Sequence, residues 1–290
     1  MGLPDGGARA ATVSVPLRID APAKLNLSLR VVGQREDGLH LLDTELVLLE
    51  LADRLLLQPG SSGLRVTGET SAAMPVDARN LAWRGLLAGL EREPDLACLT
   101  LEKRIPSAAG MGGGSSDAAA AWRLGRAWRG MPGDATDATD ADLVALSRIG
   151  ADVPFFAAQH PAARVGGIGE RISARPAVES HVVLVHPPFG LSTAAVFADL
   201  RPHEWGRGEN DLLAPARRLR PELDDLFAVV VAAGGEPRLT GSGPTVFSLG
   251  DDPERAASVA QRLARGGVRA TITRTRTTPT SIERIEESST

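Results

Sequence analysis

Residues 103–117 read Lys-Arg-Ile-Pro-Ser-Ala-Ala-Gly-Met-Gly-Gly-Gly-Ser-Ser-Asp, and an alanine-rich stretch follows them. The preceding residues, 97–103, alternate in polarity as a strand does, and residues 115–129 have the composition of a helix. Glycines have no Cβ atom, so the backbone N–H groups of such a loop can approach a polyphosphate closely. The helix also directs its positive dipole end towards the loop. A strand, a glycine-rich loop and a helix N-terminus in this order predict an anion site.

The plain alternative is a flexible loop before a helix, because glycine runs also occur where no ligand binds. Two better-known phosphate signatures are excluded. The nearest relative of the Gly-x4-Gly-Lys-[Ser/Thr] pattern begins at Gly63 and has Glu69 where a lysine must hold the phosphate. The dinucleotide fingerprint Gly-x-Gly-x2-Gly also fails, since Gly110 and Gly112 are followed by Ser115. The sequence therefore predicts a third kind of phosphate loop.

Length and composition describe an ordinary globular chain. It has 290 residues, which favours two domains or lobes, and 43% of the residues are hydrophobic. The formal net charge of −4 predicts no broad basic surface, so nucleic acid is not expected as a partner. The single cysteine, Cys98, excludes an intrachain disulfide and a multi-cysteine metal site, and it fits a reducing cytoplasm.

No targeting or membrane segment is expected. Residues Met1–Asp20 lack a basic start followed by an apolar run, which argues against a secretory signal. The longest wholly apolar run, Leu226–Ala233, is far shorter than the roughly 20 residues of a membrane span. We therefore expect a cytoplasmic protein without a membrane partner.

Predicted strands and helices are mixed without a regular strand–helix–strand cadence, which favours the α+β class. The sequence Gly-Gly-Ile-Gly at residues 166–169 is a candidate boundary between lobes. We expect an N-terminal domain over 12–165 and a C-terminal domain over 166–282. A final strand is expected over 268–274, and the polar tail after Thr277 is expected to be mobile.

The glycine-rich loop resembles the second motif of the GHMP kinases, the superfamily of galactokinase, homoserine kinase and mevalonate kinase. That motif reads approximately Pro-x3-Gly-Leu-Gly-Ser-Ser. Pro106, Gly110, Gly112, Ser115 and Ser116 match it, with a methionine in place of the leucine and additional glycine before the serines. The loop is therefore expected to hold the phosphates of ATP.

Two more segments match the superfamily in order and approximate spacing. Ala21–Leu27 resembles its first motif and Leu239–Phe247 its third, a glycine-rich turn beside the phosphate loop. The three motifs together span most of the chain. Gly38–His40, Gly150–Phe155 and Asn210–Leu212 resemble most the kinases of the non-mevalonate isoprenoid pathway, whose acceptor is a sugar alcohol linked to cytidine diphosphate.

The resemblance implies a two-lobed α+β GHMP kinase fold with the active site in the cleft between the lobes. It implies ATP and Mg²⁺ as requirements, and phosphorylation of the 2-hydroxyl of the cytidyl-diphosphate sugar alcohol. Because no cluster of carboxylates is present, Mg²⁺ is expected mainly on the ATP phosphates, with the hydroxyl of Ser115 or Ser116 near it. ATP is expected to bind Pro106, Ser107, Ala108, Ala109, Gly110, Met111, Gly112, Gly113, Gly114, Ser115 and Ser116.

Lys24, Asn26 and Asp152 are the candidates for chemistry. By themselves, a strand lysine is usually solvated and Asp152 reads as a surface residue that ends a helix. The resemblance implies instead that Asp152 acts as general base or orients the hydroxyl, and that Lys24 lowers the pKa of that hydroxyl. Asn26 is two residues from Lys24, hence on the same strand face, and is expected to bind the substrate or Asp152.

His40 and Phe197 are the candidates for binding the cytosine ring. A lone histidine is more often a surface or structural residue, and a phenylalanine is as often simply core. The resemblance implies that His40 hydrogen-bonds the base. The family commonly has a tyrosine before that histidine, which stacks on the base, whereas this chain has Leu39 and contains no tyrosine. We expect Phe197 to supply the remaining aromatic wall.

Two alternative functions remain open at this point. One is another small-molecule kinase of the superfamily, of the homoserine or mevalonate type. The other is a catalytically silent relative that binds a nucleotide or metabolite and regulates a partner. The Gly-x-His segment at His40 favours the cytidyl substrate over the first, and the presence of Lys24, Asp152 and the phosphate loop argues against the second.

Overall fold

The computed structural model describes residues 15–69, 74–91, 97–131 and 138–286. Strands and helices are mixed, as the α+β prediction requires. The strands are β1 (Leu17–Gln34), β2 (His40–Pro59), β3 (Gly63–Thr67), β4 (Ala97–Glu102), β5 (Ala162–Gly167), β6 (Arg171–Ala174), β7 (His181–Val185), β8 (Arg238–Leu239), β9 (Val246–Gly250), β10 (Ala270–Arg274) and β11 (Glu283–Arg284). The helices are α1 (Leu81–Leu90), α2 (Gly113–Trp128), α3 (Asp140–Ser147), α4 (Val153–Ala157), α5 (Thr193–Asp199), α6 (Leu213–Leu219), α7 (Glu222–Ala232) and α8 (Pro253–Arg265), with a 3₁₀ turn at Pro202–Glu204.

The first sheet has seven strands and is organised around the long antiparallel hairpin of β1 and β2. Its main path runs β11-β1-β2-β4-β3, while β5 pairs with β2 and β6 with β5. The hairpin turn closes with a hydrogen bond from Arg35 N to Leu39 O (2.8 Å), and Gly38 adopts φ +84°, a conformation that glycine adopts without steric cost. This turn places His40 opposite Gln34 at the start of β2.

Strand β1 continues through Pro22, but its pairing register with β2 changes after that residue. The pairing with β2 shifts between Pro22 and Lys24 and again between Asn26 and Ser28, as β-bulges do. The alternation of leucines predicts a strand that is buried on one face only. Both faces are in fact buried here, because Lys24 and Asn26 are only 4% and 6% exposed. The polar face is covered by the phosphate loop and by the turn between β8 and β9.

Helices α1 and α2 pack on the first sheet with their backbones in close contact. A Cβ atom on Gly85 would lie 2.0 Å from the carbonyl oxygen of Ala118, and one on Gly89 would lie 2.1 Å from that of Trp122. The position of Asn80 before the apolar run 81–90 predicts an N-cap, and its side chain does accept a hydrogen bond from Ala82 N. This packing holds the axis of α2, and therefore the loop at its N-terminus, against the sheet.

The second sheet has four strands in the order β10-β7-β9-β8, and α5 to α8 pack around it. One buried cluster joins the two sheets: Leu25 of β1, Met111 of the phosphate loop, Leu184 of β7 and Phe247 of β9 belong to it. The loop therefore lies where the two sheets meet. The domain boundary between residues 165 and 166 stays a prediction; it falls within β5, which pairs with β2 and β6 in the first sheet.

The polar tail of the chain is attached to the first sheet. The tail after Thr277 is not free through residue 286, because β11 pairs with β1 and Thr280 is 9% exposed. The hydroxyl and carbonyl of Thr280 accept hydrogen bonds from the buried guanidinium of Arg123. The Gly-, Asp- and Thr-rich composition of residues 130–140 predicts a surface loop, and residues 132–137 of it lie outside the described residues.

Candidate active site

A cavity of about 1060 Å³ lies between the two sheets and contains the predicted site residues from both halves of the chain. Its walls include Lys24 and Asn26 of β1, the phosphate loop, Asp152 before α4, and Phe197 of α5. The volume is at the upper end of the range for small-molecule sites, which fits two substrates bound side by side.

The phosphate loop ends in an uncapped helix N-terminus. We predicted a helix beginning at Ser115 with a serine cap, but α2 begins at Gly113 and its N-cap is Gly112, with φ +70° and no side-chain hydrogen bond. The first N–H groups of a helix have no partner within it. Since no side chain caps them here, they are available to an anion in the cavity, and the helix dipole favours that anion.

The third glycine-rich motif packs directly on this loop, as the resemblance predicts. A Cβ atom on Gly110 would lie 2.6 Å from the carbonyl oxygen of Thr240, and one on Gly241 would lie 3.0 Å from that of Gly110. Only glycine permits this approach without displacing backbone, and Gly110 also adopts φ +74°. The two turns therefore support each other's backbone conformation beside Lys24.

Lys24 is held from three sides at the bottom of the cavity. Its Nζ donates to Asn26 Oδ1 (2.6 Å) and to the carbonyl oxygen of Gly110 (2.9 Å), and lies 4.0 Å from Asp152 Oδ2. The backbone N–H of Lys24 also donates to Met111 O (3.0 Å), so the β1 bulge is tied to the phosphate loop. Burial lowers the pKa of Lys24, and the Asp152 carboxylate opposes that shift.

Asp152 is the acidic partner of this lysine. It occupies the N-cap position of α4 but makes no capping hydrogen bond, and 43% of its side chain is exposed. Its carboxylate is therefore not used to stabilise the helix and remains accessible from the cavity. A carboxylate and an ammonium group 4.0 Å apart form an electrostatic pair that can move a proton from a bound hydroxyl.

Asn26 connects Lys24 to a buried hydrogen-bond network. Its Nδ2 donates to Thr44 Oγ1 (2.8 Å), and Thr44 Oγ1 donates to the carbonyl oxygen of Ser28 (2.5 Å). Its backbone N–H donates to Thr240 Oγ1 (3.1 Å). With Nδ2 committed to Thr44, the carboxamide oxygen of Asn26 faces Lys24. No sequence signal marks Thr44, because only the register between β1 and β2 brings it opposite the segment that contains Asn26.

We expect Thr44→Val to lower kcat by about tenfold, because it leaves the buried Nδ2 of Asn26 without an acceptor, at a cost of about 1–3 kcal/mol. The amide then no longer fixes the position of Lys24. Steady-state kinetics over a range of pH test this. Because Lys24 is displaced, the pH profile of kcat is expected to shift.

Thr44→Ser is the matched control, since it retains the hydroxyl and is expected to restore the profile. If the valine and serine variants lose the same activity with unshifted profiles, Thr44 has only a packing role.

Two family models match the chain, that of the GHMP kinases N terminal domain over residues 80–160 and that of the GHMP kinases C terminal over residues 196–269. The 4-diphosphocytidyl-2-C-methyl-D-erythritol kinase of Paracoccus denitrificans is 38% identical over 84% of this chain and 90% of its own length. The enzyme of that name from Thermus thermophilus is 37% identical over 85% and 92%. The chain belongs to the 4-diphosphocytidyl-2-C-methyl-D-erythritol kinase family of GHMP kinases.

Solved structures agree with this family. A crystal structure of 4-(cytidine 5'-diphospho)-2C-methyl-D-erythritol kinase matches with a TM-score of 0.72 and 35% identity, over 89% of this chain and 98% of that one. The homoserine kinase of Cytophaga hutchinsonii matches with a TM-score of 0.63 at 15% identity, over 97% and 100%, and so shares the fold. The prediction of a GHMP kinase fold and of a kinase in this family is confirmed.

At the far end of the cavity of this family member, His40 lies among aromatic rings. Its ring centroid is 5.3 Å from that of Phe197 (interplanar angle 30°) and 5.8 Å from that of Trp205 (86°). Burial lowers the pKa of His40, so the imidazole is neutral at pH 7 and has one donor and one acceptor nitrogen. Leu39 also lines the cavity and is 49% exposed.

The two serines of the kinase motif point to different places. Ser115 lines the cavity, whereas Ser116 is 1% exposed, does not line it, and borders a small second cavity near Phe156 and Thr280. The described residues contain no group of three or more His, Cys, Asp or Glu side chains placed to hold a metal ion. The hydroxyl of Ser115 still fits Mg²⁺, which keeps several waters and binds phosphate oxygens.

Below the loop, Lys103 forms a buried ion triad. Its Nζ donates to Asp53 Oδ2 and, at 2.8 Å, to Asp117 Oδ2, while Asp53 Oδ1 accepts from the backbone N–H groups of Arg104 and Ile105. Burial alone would lower the pKa of Lys103, but Asp117 and Asp53 outweigh it and the pKa is raised. Burial raises the pKa of Asp117 well above its usual value. The position of Asp117 after the glycines predicts an interaction with the helix N-terminus; its side chain instead binds Lys103 and anchors the loop from below.

Other wall residues were missed by the sequence analysis. Thr193 Oγ1 and Ser242 Oγ lie 2.8 Å apart and join the start of α5 to the third motif, and both line the cavity together with Trp205. No sequence motif marks Thr193 or Trp205, and the third motif does not by itself show that Ser242 contacts Thr193, because their proximity depends on how α5 packs on the second sheet. No helix among the described residues is both long enough and apolar enough to cross a membrane.

Proposed function

We propose that this chain transfers the γ-phosphoryl group of ATP to the 2-hydroxyl of 4-diphosphocytidyl-2-C-methyl-D-erythritol. The observation that carries the proposal is the Lys24–Asp152 pair, 4.0 Å apart between an uncapped helix N-terminus and a ring-lined pocket at His40. One end of the cavity suits a polyphosphate and the other a planar base. The names of the relatives support this substrate.

Phosphoryl transfer needs positioned reactants, neutralised phosphate charge and a hydroxyl that can lose its proton. Asp152 accepts that proton, because its carboxylate is accessible and is not committed to the helix cap. Lys24 stabilises the developing alkoxide. Asn26 fixes Lys24 through its carboxamide oxygen.

The phosphates are bound at residues 106–116, by the free N–H groups at the start of α2. Ser115 is the residue that would hold Mg²⁺ together with the phosphates. The metal ion would neutralise negative charge on the phosphate oxygens. The single cysteine fits the reducing cytoplasm as the place of the reaction.

The base is bound at the His40 end. A neutral imidazole can donate one hydrogen bond to the ring acceptor of cytosine or accept one from its amino group. Phe197 lies beside His40 and offers a ring face to the base.

We expect His40→Ala to raise KM for the cytidyl substrate by about tenfold while kcat changes little, because the side chain binds the base and does not touch the reacting atoms. Steady-state kinetics with saturating ATP measure this. His160, which follows α4 and does not line the cavity, provides a control, and His160→Ala is expected to keep both constants. A fall in kcat in His40→Ala with unchanged KM would contradict the assigned role.

An ADP-release assay with ATP and Mg²⁺ tests the proposed function. The acceptor panel contains 4-diphosphocytidyl-2-C-methyl-D-erythritol, homoserine, mevalonate and no acceptor. Release that depends on the cytidyl acceptor is expected. Release with homoserine or mevalonate instead would give the function to another GHMP kinase type. ATP binding without release on any acceptor would favour a catalytically silent relative.

A further inference from the structure

The base end of the cavity has a third ring that no motif predicts. Trp205 follows the 3₁₀ turn Pro202–Glu204 and lines the cavity, with its ring edge-on to His40 at 5.8 Å and 86°. T-shaped contacts of this kind are a favoured aromatic geometry and fix the plane of both rings. His40 therefore contacts both Trp205 and Phe197 at this end of the cavity.

The residue before His40 lacks the aromatic ring that the resemblance leads us to expect. Position 39 is a half-exposed leucine, and no tyrosine exists anywhere in the chain to replace it. An aliphatic side chain contacts a base without the stacking that an aromatic face provides. If the base is held between two rings, the second ring must come from another element, and Trp205 is the additional aromatic residue at this end of the cavity among the described residues.

The segment around Trp205 is fixed on both sides. Before it, Glu204 accepts a hydrogen bond from Arg201 N (2.9 Å), and Arg218 Nη2 donates to Glu204 Oε2 (3.0 Å). After it, the buried carboxylate of Asp211 accepts from the backbone N–H groups of Gly206 (2.6 Å) and of residues 207 and 208.

The same Asp211 carboxylate accepts from Val31 N (2.8 Å), which ties the segment to β1 beside the cavity. A residue held in this way does not belong to a loosely attached surface loop. The indole Nε1–H of Trp205 is buried and has no partner among the described residues. A buried donor without a partner in the wall of a binding site indicates that a ligand completes the wall.

We propose that Trp205 is the second aromatic wall of the base subsite and replaces the tyrosine that position 39 lacks. The inference rests on the proposed function, because it takes the ligand at this end of the cavity to be the cytosine ring of a cytidine diphosphate group. Phe197 and Trp205 then bracket the base while His40 reads its edge.

Equilibrium binding of cytidine 5′-diphosphate to the full chain, by calorimetry, tests this. We expect Trp205→Leu to weaken binding by about 5- to 150-fold, the range that base–aromatic stacking energies give, and Trp205→Phe to weaken it far less. Binding of a non-hydrolysable ATP analogue is expected to stay unchanged in both. Trp83→Phe, on α1 and outside the cavity, is the control.

The double variant Leu39→Tyr/Trp205→Leu distinguishes a role of Trp205 in stacking on the base from a role in packing alone. If Trp205 replaces the missing tyrosine, the added tyrosine is expected to recover most of the lost affinity. Intrinsic fluorescence provides a readout that needs only the conservative variant: cytidine 5′-diphosphate is expected to change the emission of the wild type and not that of Trp205→Phe. This decides the question even if Trp205→Leu does not fold.

The outcomes are distinguishable. If Trp205→Leu binds cytidine 5′-diphosphate as tightly as the wild type, Trp205 is not a wall of the base subsite. The same follows if the fluorescence change persists in Trp205→Phe. Either result leaves the proposed function intact. No binding of cytidine 5′-diphosphate by the wild type, with phosphorylation of a different acceptor, overturns both.

Discussion

Asp152→Asn is expected to lower kcat for the cytidyl acceptor by about 10²- to 10⁴-fold, the usual effect of removing a general base. The carboxamide has the same shape but cannot accept the proton of the hydroxyl. It also removes the negative charge 4.0 Å from Lys24 Nζ. KM for both substrates is expected to change little, because Asp152 acts on the reacting hydroxyl and not on the base or on the α2 N-terminus.

The controls follow from the position of Asp152. Its side chain does not cap α4, so the substitution is not expected to change stability, and thermal unfolding of the variant checks this. Asp140→Asn is the matched control, since Asp140 is an exposed aspartate at the start of α3, outside the cavity. Turnover at the wild-type rate in Asp152→Asn would exclude a base role and leave charge neutralisation at the helix N-terminus as the main catalytic effect.

The phosphate loop could be predicted from sequence because its signals are local. A run of glycine between a strand and a helix needs no knowledge of the rest of the fold to predict an anion site. The helix start was wrong by two residues, because Gly113 has low helix propensity. In the structure a Cβ at Gly113 would lie 3.2 Å from the side chain of Ile105, so close packing explains the glycine there.

The pairing of Lys24 with Asp152 could be predicted only through the resemblance. Alternation placed Lys24 and Asn26 on one strand face, but the spacing of Asp152 along the chain says nothing about its distance from them. Thr44 and Trp205 gave no signal at all, since a threonine in a strand and a tryptophan in a loop are common. Their roles depend on the β1–β2 register and on the anchoring of residues 201–211.

The attachment of the polar tail likewise could not be predicted from the sequence. Residues after Thr277 are polar, and polarity normally indicates mobility at a terminus. What holds them is a buried arginine, Arg123, whose guanidinium binds Thr280 some 157 positions away in sequence. A buried cation in an alanine-rich helix requires a partner, but no local pattern identifies which residue provides it.

Lys103→Met is expected to destabilise the fold by about 3–5 kcal/mol, because it leaves two buried carboxylates without their cation. Asp53 and Asp117 are 0% and 1% exposed, so water cannot replace the lysine. The loss is a large fraction of the roughly 5–15 kcal/mol by which domains are stable. Urea unfolding at pH 7.5 without ligands measures it. Arg104→Met is the matched control, since its ion pair with Glu102 is exposed and is expected to contribute less than about 1 kcal/mol.

The pH dependence distinguishes a charge effect from a packing effect. Burial already raises the pKa of Asp117, and without Lys103 nothing opposes that shift, so its folded-state pKa lies above the unfolded value of about 3.9. The folded variant then binds more protons than the unfolded chain. Its stability relative to the wild type therefore rises as the pH falls through the raised folded pKa towards about 4. If the difference in free energy of unfolding between Lys103→Met and the wild type stays constant from pH 8 to pH 5, the lost methylene and ammonium contacts, and not the unpaired carboxylates, cause the instability. Because Asp53 also accepts the backbone N–H groups of Arg104 and Ile105 at the entrance to the phosphate loop, the same variant is expected to raise KM for ATP.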